Sequence, residues 1–339
     1  MPSAADDLLA AQRSLGRPLR FDEFLSLALY GPNGFYVNGG QAGRRGDFIT
    51  SPEVGPLFGA VLARWIDAEY ERLGRPDGFR VVEAGAGPGT LARAVLTAAP
   101  QWHGRYVAVE VSDTQRATHP DGVLPSAALP DEPAPGVVIA NELLDNVPFR
   151  LAVFDGAWRE AMVEVQPDGT VREFTVPAPE AWGWLPPHAG HGARVPIQTA
   201  AAEWVHAART ALTAGTVLLF DYCTPRTAAV AAMPWRDWLR TYRGHERGAH
   251  YLREVGAQDV TAQVCLDQLP EPSAVRTQAQ FLQRWGIDDL VEEGRAAWQA
   301  AAARPDLHAL RMRSRIREAE SLLDPAGLGA FSALEFRVG

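Results

Sequence analysis

The 339-residue sequence predicts an α/β fold in which a doubly wound, mostly parallel sheet carries helical additions. Three observations point there. Short apolar runs bounded by Gly and Pro occupy residues 79–84, 106–111, 137–140 and 217–222, the pattern of strands buried on both faces. The stretches between them read as helix or loop, which parallel strands need for their crossovers. A glycine-rich turn, Gly85 to Gly89, directly follows the first run, at the end of a strand where such sheets bind ligands.

Ahead of the sheet the chain reads as helical. Phe21, Phe24, Leu25 and Leu29, then Leu57, Val61, Leu62 and Trp65, recur at the spacing of one helix face and predict helices over residues 19–30 and 53–73, with a Gly-rich loop at 31–52. After the third run, residues 150–176 alternate with period two. Asp155-Gly156 and Asp168-Gly169 are hairpin-turn pairs, so this segment predicts an inserted antiparallel meander. Residues 177–196 are a Pro-, Gly-, His- and Trp-rich loop, and a helix is expected over 197–214. Further helices are expected at 278–302 and 306–323, and a closing strand at 331–338. The expected organisation is a helical extension over 1–78 and a core over 79–339, with an insertion at 150–196 and a helical addition at 278–325.

All 32 basic residues are Arg, and the chain has no Lys. That excludes Lys Schiff bases, a P-loop lysine, a kinase ATP lysine and Ser–Lys dyads, whatever the compositional cause. The net charge of −9 argues against a general nucleic-acid binder and against an anionic membrane surface as partner. No apolar run is long enough to span a bilayer. Cys223 and Cys265 stand alone with no CxxC spacing, which fits a reducing compartment, and with no leader read at the start the expected localisation is cytoplasmic. No metal site is expected. His188 and His191 lie in a loop with no third ligand nearby, and the alternating Arg311, Arg313, Arg315 and Arg317 read as a solvated helix face.

The glycine turn is the sharpest local signal. Gly85, Gly87 and Gly89 make G-x-G-x-G, not the G-x-G-x-x-G of dinucleotide sites, and Glu83 precedes the first by two positions. Taken alone, this could be an ordinary tight turn. Glu110, 21 residues after Gly89, ends the next predicted strand, where a carboxylate can accept two hydrogen bonds from a ribose diol. Together these resemble motif I and the ribose acid of class I S-adenosylmethionine (SAM) methyltransferases. The resemblance implies a Rossmann-like core with a seven-stranded sheet and SAM as cofactor, with Glu110 on the ribose and Glu83 near the methionine end.

Further stretches resemble one family within that class. ALYGPNGFY ending at Tyr36, GDFITSPE ending at Glu53, Phe58-Gly59, NELLDNVP from Asn141, Asp221-Tyr222, Tyr242 with His245, and GAQDVTA from Gly256 are similar, in order, to the MidA family of bacterial and mitochondrial methyltransferases. The resemblance covers nearly the whole chain and implies protein arginine methylation. It also implies that Asp47, Thr50 and Ser51 close over the methionine end of SAM, and that Asn141 contacts the cofactor. The chain departs at Ala86 and Pro88, where the family has Pro and a basic residue, and at Gln263 and Cys265, where it has His and Asp. Those last two departures would permit a different acceptor.

Methyl transfer is an in-line displacement that depends on positioning. A guanidinium stays protonated at neutral pH, so an arginine acceptor needs carboxylates that orient it and receive a proton. Glu142 and Asp145 follow the third predicted strand and are candidates for that work, with His245 as an orienting or structural residue. A second reading stays open, in which Asp145 caps a short helix containing Pro148 and Glu142 only contacts cofactor. Likewise Asp47, Thr50 and Ser51 could serve only hydrogen bonding within their loop. Three functions remain: a methyltransferase acting on a protein arginine, one acting on a small molecule, and a SAM-binding interaction protein without turnover. A homodimer stays open.

Overall fold

The computed structural model describes residues 3–37, 50–179, 182–244, 246–304 and 306–339. The chain forms two compact units, neither of them contiguous: residues 1–48, 144–206 and 223–271 make the first, and 49–143, 207–222 and 272–339 the second.

The second unit holds the parallel sheet. Its seven strands lie in the order Ala274–Thr277, Ser332–Val338, Leu212–Asp221, Ala134–Asn141, Arg80–Ala84, Tyr106–Val109, Val123–Ser126. Only Ser332–Val338 runs against the rest. The inner strands Leu212–Asp221, Ala134–Asn141, Arg80–Ala84 and Tyr106–Val109 are largely buried because both faces are covered, so the sequence shows them as apolar runs without alternation. The helix Pro56–Arg72 packs Leu57, Phe58, Val61, Leu62 and Trp65 into a core with Val81, Val137, Ile139, Leu218 and Phe220, and with Leu91 and Val95 of the helix Thr90–Ala98. A Cβ on Gly59 would lie 2.4 Å from that of Ala94, so glycine lets these two helices touch.

The first unit contains the meander. Arg150–Phe154, Trp158–Val165 and Val171–Pro177 pair antiparallel through the two expected turns, with Gly156 and Gly169 at φ +72° and +83°. Arg194–Ile197 joins one edge of the sheet, and Leu19–Arg20 pairs with Met162 and Val163. The helices Ala4–Leu15 and Phe21–Tyr30 bury Leu8, Phe21, Phe24, Leu25 and Leu29 against Phe149, Leu151, Val163 and Trp238. A second small sheet pairs Leu239–Arg243 with Asp259–Ala262.

This grouping differs from the linear expectation. The helix Pro56–Arg72 belongs with the parallel sheet, whereas the two earlier helices belong with the meander, because each apolar stripe must find a face to cover. Near the C-terminal end, the helix expected over 278–302 divides into Gln278–Arg284 and Ile287–Ala300. Gly286, left-handed at φ +82°, makes the break.

Candidate cofactor and acceptor site

In the second unit the strand order reverses beside Arg80–Ala84. The next strand in sequence lies on one side of it, and Ala134–Asn141 lies on the other. Such a switch point opens a crevice at the carboxyl ends of the strands. Ala84 is in register with Ala140, so the turn that starts at Gly85 leaves the sheet beside Asn141. Gly85, Gly87 and Gly89 all have left-handed φ, at +68°, +52° and +79°. A Cβ at Gly85 would stand 3.0 Å from Leu143 Cδ1 and one at Gly89 3.0 Å from Pro120 Cδ, so the turn is both conformationally and sterically reserved for glycine.

Glu110 holds this loop from the neighbouring strand. Its Oε2 accepts the Gly87 N–H at 2.9 Å and its Oε1 the Ser112 N–H at 2.9 Å. A carboxylate has about four lone-pair sites, so each oxygen keeps capacity for a ribose hydroxyl. The far side of the loop is tied by side chains outside the motif. His119 Nε2 lies 2.9 Å from the Gly87 carbonyl, and the Arg93 guanidinium donates to the carbonyls of Pro88 and Thr118 at 2.9 and 2.6 Å.

Glu83 takes a different position. It is 5% exposed, its Oε2 accepts the Tyr106 hydroxyl at 2.8 Å, and the Ala92 N–H also donates to it. Ala92 lies in the first turn of Thr90–Ala98, whose N-cap is Gly89 and has no side chain to cap it. Glu83 therefore supplies from the strand the cap that glycine cannot provide. Burial raises its carboxyl to about 8, against the lowering effect of the Tyr106 and Ala92 bonds.

At the end of the central strand, Asn141 Nδ2 donates to Glu142 Oε1 at 3.0 Å, while the buried Asn141 Oδ1 has no protein partner among the described residues. Glu142 sits at φ +50°, one of three left-handed residues other than glycine among the described residues, and its N–H donates to the Phe220 carbonyl at 2.8 Å. A side-chain-bearing residue held there points to function over stability.

The comparisons with known proteins agree with this crevice. Residues 61–283, about two thirds of the chain, match the family model described as "Putative S-adenosyl-L-methionine-dependent methyltransferase". The chain belongs to this family of methyltransferases. Over 98% of its length it superposes on a crystal structure from Burkholderia thailandensis with S-adenosyl-homocysteine (SAH) bound, with TM-score 0.83, 27% identity and 91% of that chain covered. Among curated relatives, the mitochondrial "Protein arginine methyltransferase NDUFAF7 homolog" of Drosophila melanogaster is 32% identical over 48% of this chain and 45% of its own length, so the match spans less than half of that protein. The Mus musculus "Protein arginine methyltransferase NDUFAF7, mitochondrial" is 27% identical over 80% of this chain and 71% of its own.

SAM is the cofactor of this methyltransferase, and the crevice fits it. The glycine turn leaves room for backbone to approach a ligand, Glu110 retains acceptor capacity, and the unsatisfied Asn141 Oδ1 offers an acceptor to an ammonium or hydroxyl. When bound, SAM supplies an electrophilic methyl on a sulfonium.

The remaining sequence candidates are placed as follows. Asp145 belongs to the first unit and lies within the one-turn 3₁₀ helix Leu144–Asn146. It is not the cap of a helix that includes Pro148, because Pro148 follows the turn. Thr50, in the second unit, precedes the short helix Ser51–Val54 without making a side-chain cap. The Ser51 hydroxyl, fully buried, donates to Gln278 Oε1 at 2.9 Å, a long-range bond and not the loop-internal one that the alternative reading held open. Asp47 and His245 lie outside the described residues. Among the described residues no group of three or more His, Cys, Asp or Glu could hold a metal ion, and no helix is long and apolar enough to cross a membrane.

Gln263 and Cys265 both belong to the first unit. Cys265 is buried in the first unit's core, with its thiol pushed up to about 12 by burial, and the Gln263 amide oxygen accepts the Thr224 hydroxyl. The expected cytoplasmic localisation needs correction, because the curated relatives named above are mitochondrial proteins. Two reduced thiols suit any reducing compartment and do not choose among them. Tyr106 and His119 were missed in the sequence because their partners, Glu83 and Gly87, lie 23 and 32 positions away. Ser112 was missed although its partner Glu110 is only two positions before it, because the bond is made by its backbone N–H and leaves no mark on residue type.

Proposed function

We propose that this methyltransferase moves the methyl group of SAM to an arginine of a protein acceptor. The observation that carries the reading is Glu142, fixed in a strained left-handed conformation at the carboxyl edge of the central strand, beside the glycine turn. A guanidinium nitrogen attacks the methyl carbon, the S–C bond breaks with its electron pair passing to sulfur, and SAH leaves. The methylated nitrogen then loses one proton to a carboxylate. Glu142 is the residue assigned to orient the guanidinium and take that proton, with Asp145, three positions later, as the second acceptor-side carboxylate. Glu83 is assigned to hold the glycine turn in shape, and Glu110 to bind the ribose. Thr50 is assigned to the methionine end.

The names of the curated relatives support an arginine acceptor. The packing of Cys265 and the bonding of Gln263 give both departures a role within the first unit, which supports reading them apart from acceptor choice. The test is incubation of the wild type with methyl-tritiated SAM and protein from cells lacking the enzyme, followed by acid hydrolysis. Label recovered as methylarginine supports the proposal, and label confined to small molecules refutes it.

A further inference from the structure

Three stretches quoted above for family resemblance converge in the first unit on one buried node: Tyr36 closes the first, Asn146 lies in the second and Asp259 in the third. Asp259 is 1% exposed. Its Oδ1 accepts the Val260 N–H at 2.9 Å, Asn146 Nδ2 at 3.0 Å and the Tyr36 hydroxyl at 3.2 Å. Tyr36 also lies 3.1 Å from Asn146 Oδ1, so its one hydroxyl proton bridges both side chains. Asn146 Nδ2 further donates to the Val260 carbonyl at 3.3 Å, and the Tyr30 hydroxyl donates to the Asn146 carbonyl at 3.2 Å. The Tyr30 and Tyr36 rings stack at 5.4 Å and 14°.

The node acts on Leu144–Asn146, a single 3₁₀ turn. One turn fixes several dihedrals for a single backbone hydrogen bond and cannot hold its own orientation. Side-chain anchors must do so, and bonds with Tyr30, Tyr36 and Asp259 converge on Asn146, the residue that follows Asp145. We propose that Asp259, acting through Asn146 with Tyr36 as the bridging donor, is a positioning residue that sets where the Asp145 carboxylate stands for the acceptor. This rests on the assignment of Asp145 to the acceptor side.

The node also links charge to position. Burial, and then the neighbouring Asp145 charge, raise the Asp259 carboxyl to about 7. The titratable groups facing it are Asp145 and Tyr36, with Tyr30 behind Tyr36. All three donors on Oδ1 favour the ionised form, so the node tightens as pH rises through that value.

The experiment measures label transfer from tritiated SAM to extract protein, and SAH affinity by calorimetry, for Asn146→Ala, Tyr36→Phe, Asp259→Asn and Asp145→Asn. The expected result is that Asn146→Ala and Tyr36→Phe keep SAH affinity and the KM for SAM within about twofold while the maximal transfer rate falls at least about tenfold. Asp259→Asn should bind SAH normally and lose the rise in transfer rate that the wild type shows near pH 7. If Asp145→Asn abolishes transfer while the Asn146 and Tyr36 variants transfer at the wild-type rate, the positioning role falls alone. If Asp145→Asn transfers normally, the acceptor-side assignment falls and takes the positioning role with it. Parallel losses of SAH affinity and transfer in the Asn146 and Tyr36 variants would mark the node as structural only and overturn the proposal.

Discussion

Glu142 sits where a side-chain-bearing residue costs about 1 kcal/mol more than glycine, and it does so at the edge of a ligand crevice. Replacing it with Gly should therefore leave stability to urea equal to the wild type or higher by about 1 kcal/mol, while transfer of label from SAM to protein is lost. A variant that was both less stable and still active would remove the strain argument and the catalytic assignment together. Glu110 makes the opposite kind of contribution. Its two charge-assisted bonds to Gly87 and Ser112 shape the loop before ligand arrives, so Glu110→Ala should weaken SAH binding by about 10- to 100-fold in calorimetric titration. Binding within twofold of wild type would remove the ribose assignment.

At the scale of elements, the helix Thr90–Ala98 begins on a glycine and takes its cap from the strand before it. Glu83→Ala removes that cap and leaves the buried Tyr106 hydroxyl without its acceptor. It should cost about 2–4 kcal/mol in urea unfolding, the sum of a lost cap and an unsatisfied buried donor. Glu83→Gln, which keeps an acceptor oxygen, should cost clearly less. If the two substitutions cost the same, Glu83 does not act as a cap. The elements were largely legible in the sequence, for reasons tied to particular residues. Strands 80–84 and 134–141 showed through the apolar runs expected at 79–84 and 137–140, which are buried on both faces, and the meander showed through Asp155-Gly156 and Asp168-Gly169. The acids of the site were legible through their spacing from Gly85, Gly87 and Gly89. What could not be read was which element each apolar stripe would cover, or that Ser51 would bond to Gln278 and Asn146 to Asp259, because those pairings join residues more than a hundred positions apart. That Glu83 would accept the Tyr106 hydroxyl was also hidden, since nothing local marks Tyr106 as its partner.

Across the whole molecule, burial raises a carboxyl in each unit: Asp259 to about 7 in the first and Glu83 to about 8 in the second. In the unfolded chain both titrate at ordinary carboxylate values, near 4. Between those values and the raised ones the folded protein holds protons that the unfolded chain has released, so stability falls as pH rises through this window. The SAH-free protein should accordingly be more resistant to urea at pH 5.5 than at pH 8, with the difference reduced in Asp259→Asn and in Glu83→Gln. A stability that rose with pH across this range would contradict the burial of these two groups as protonated acids.

The seven-stranded sheet has a consequence for synthesis. Ser332–Val338 lies between Leu212–Asp221 and Ala274–Thr277, both of which the ribosome makes earlier. Until that strand emerges, one edge of the central sheet stays open and Ala274–Thr277 has nothing to pair with. The crevice at the switch point is assembled from residues 80–141, in the middle of the chain, yet the sheet that supports it closes only when residues 332–338 arrive. A nascent chain of this protein thus exposes an unpaired strand edge for most of its time on the ribosome, and it is during that interval, more than in the finished fold, that it would need shielding from its neighbours.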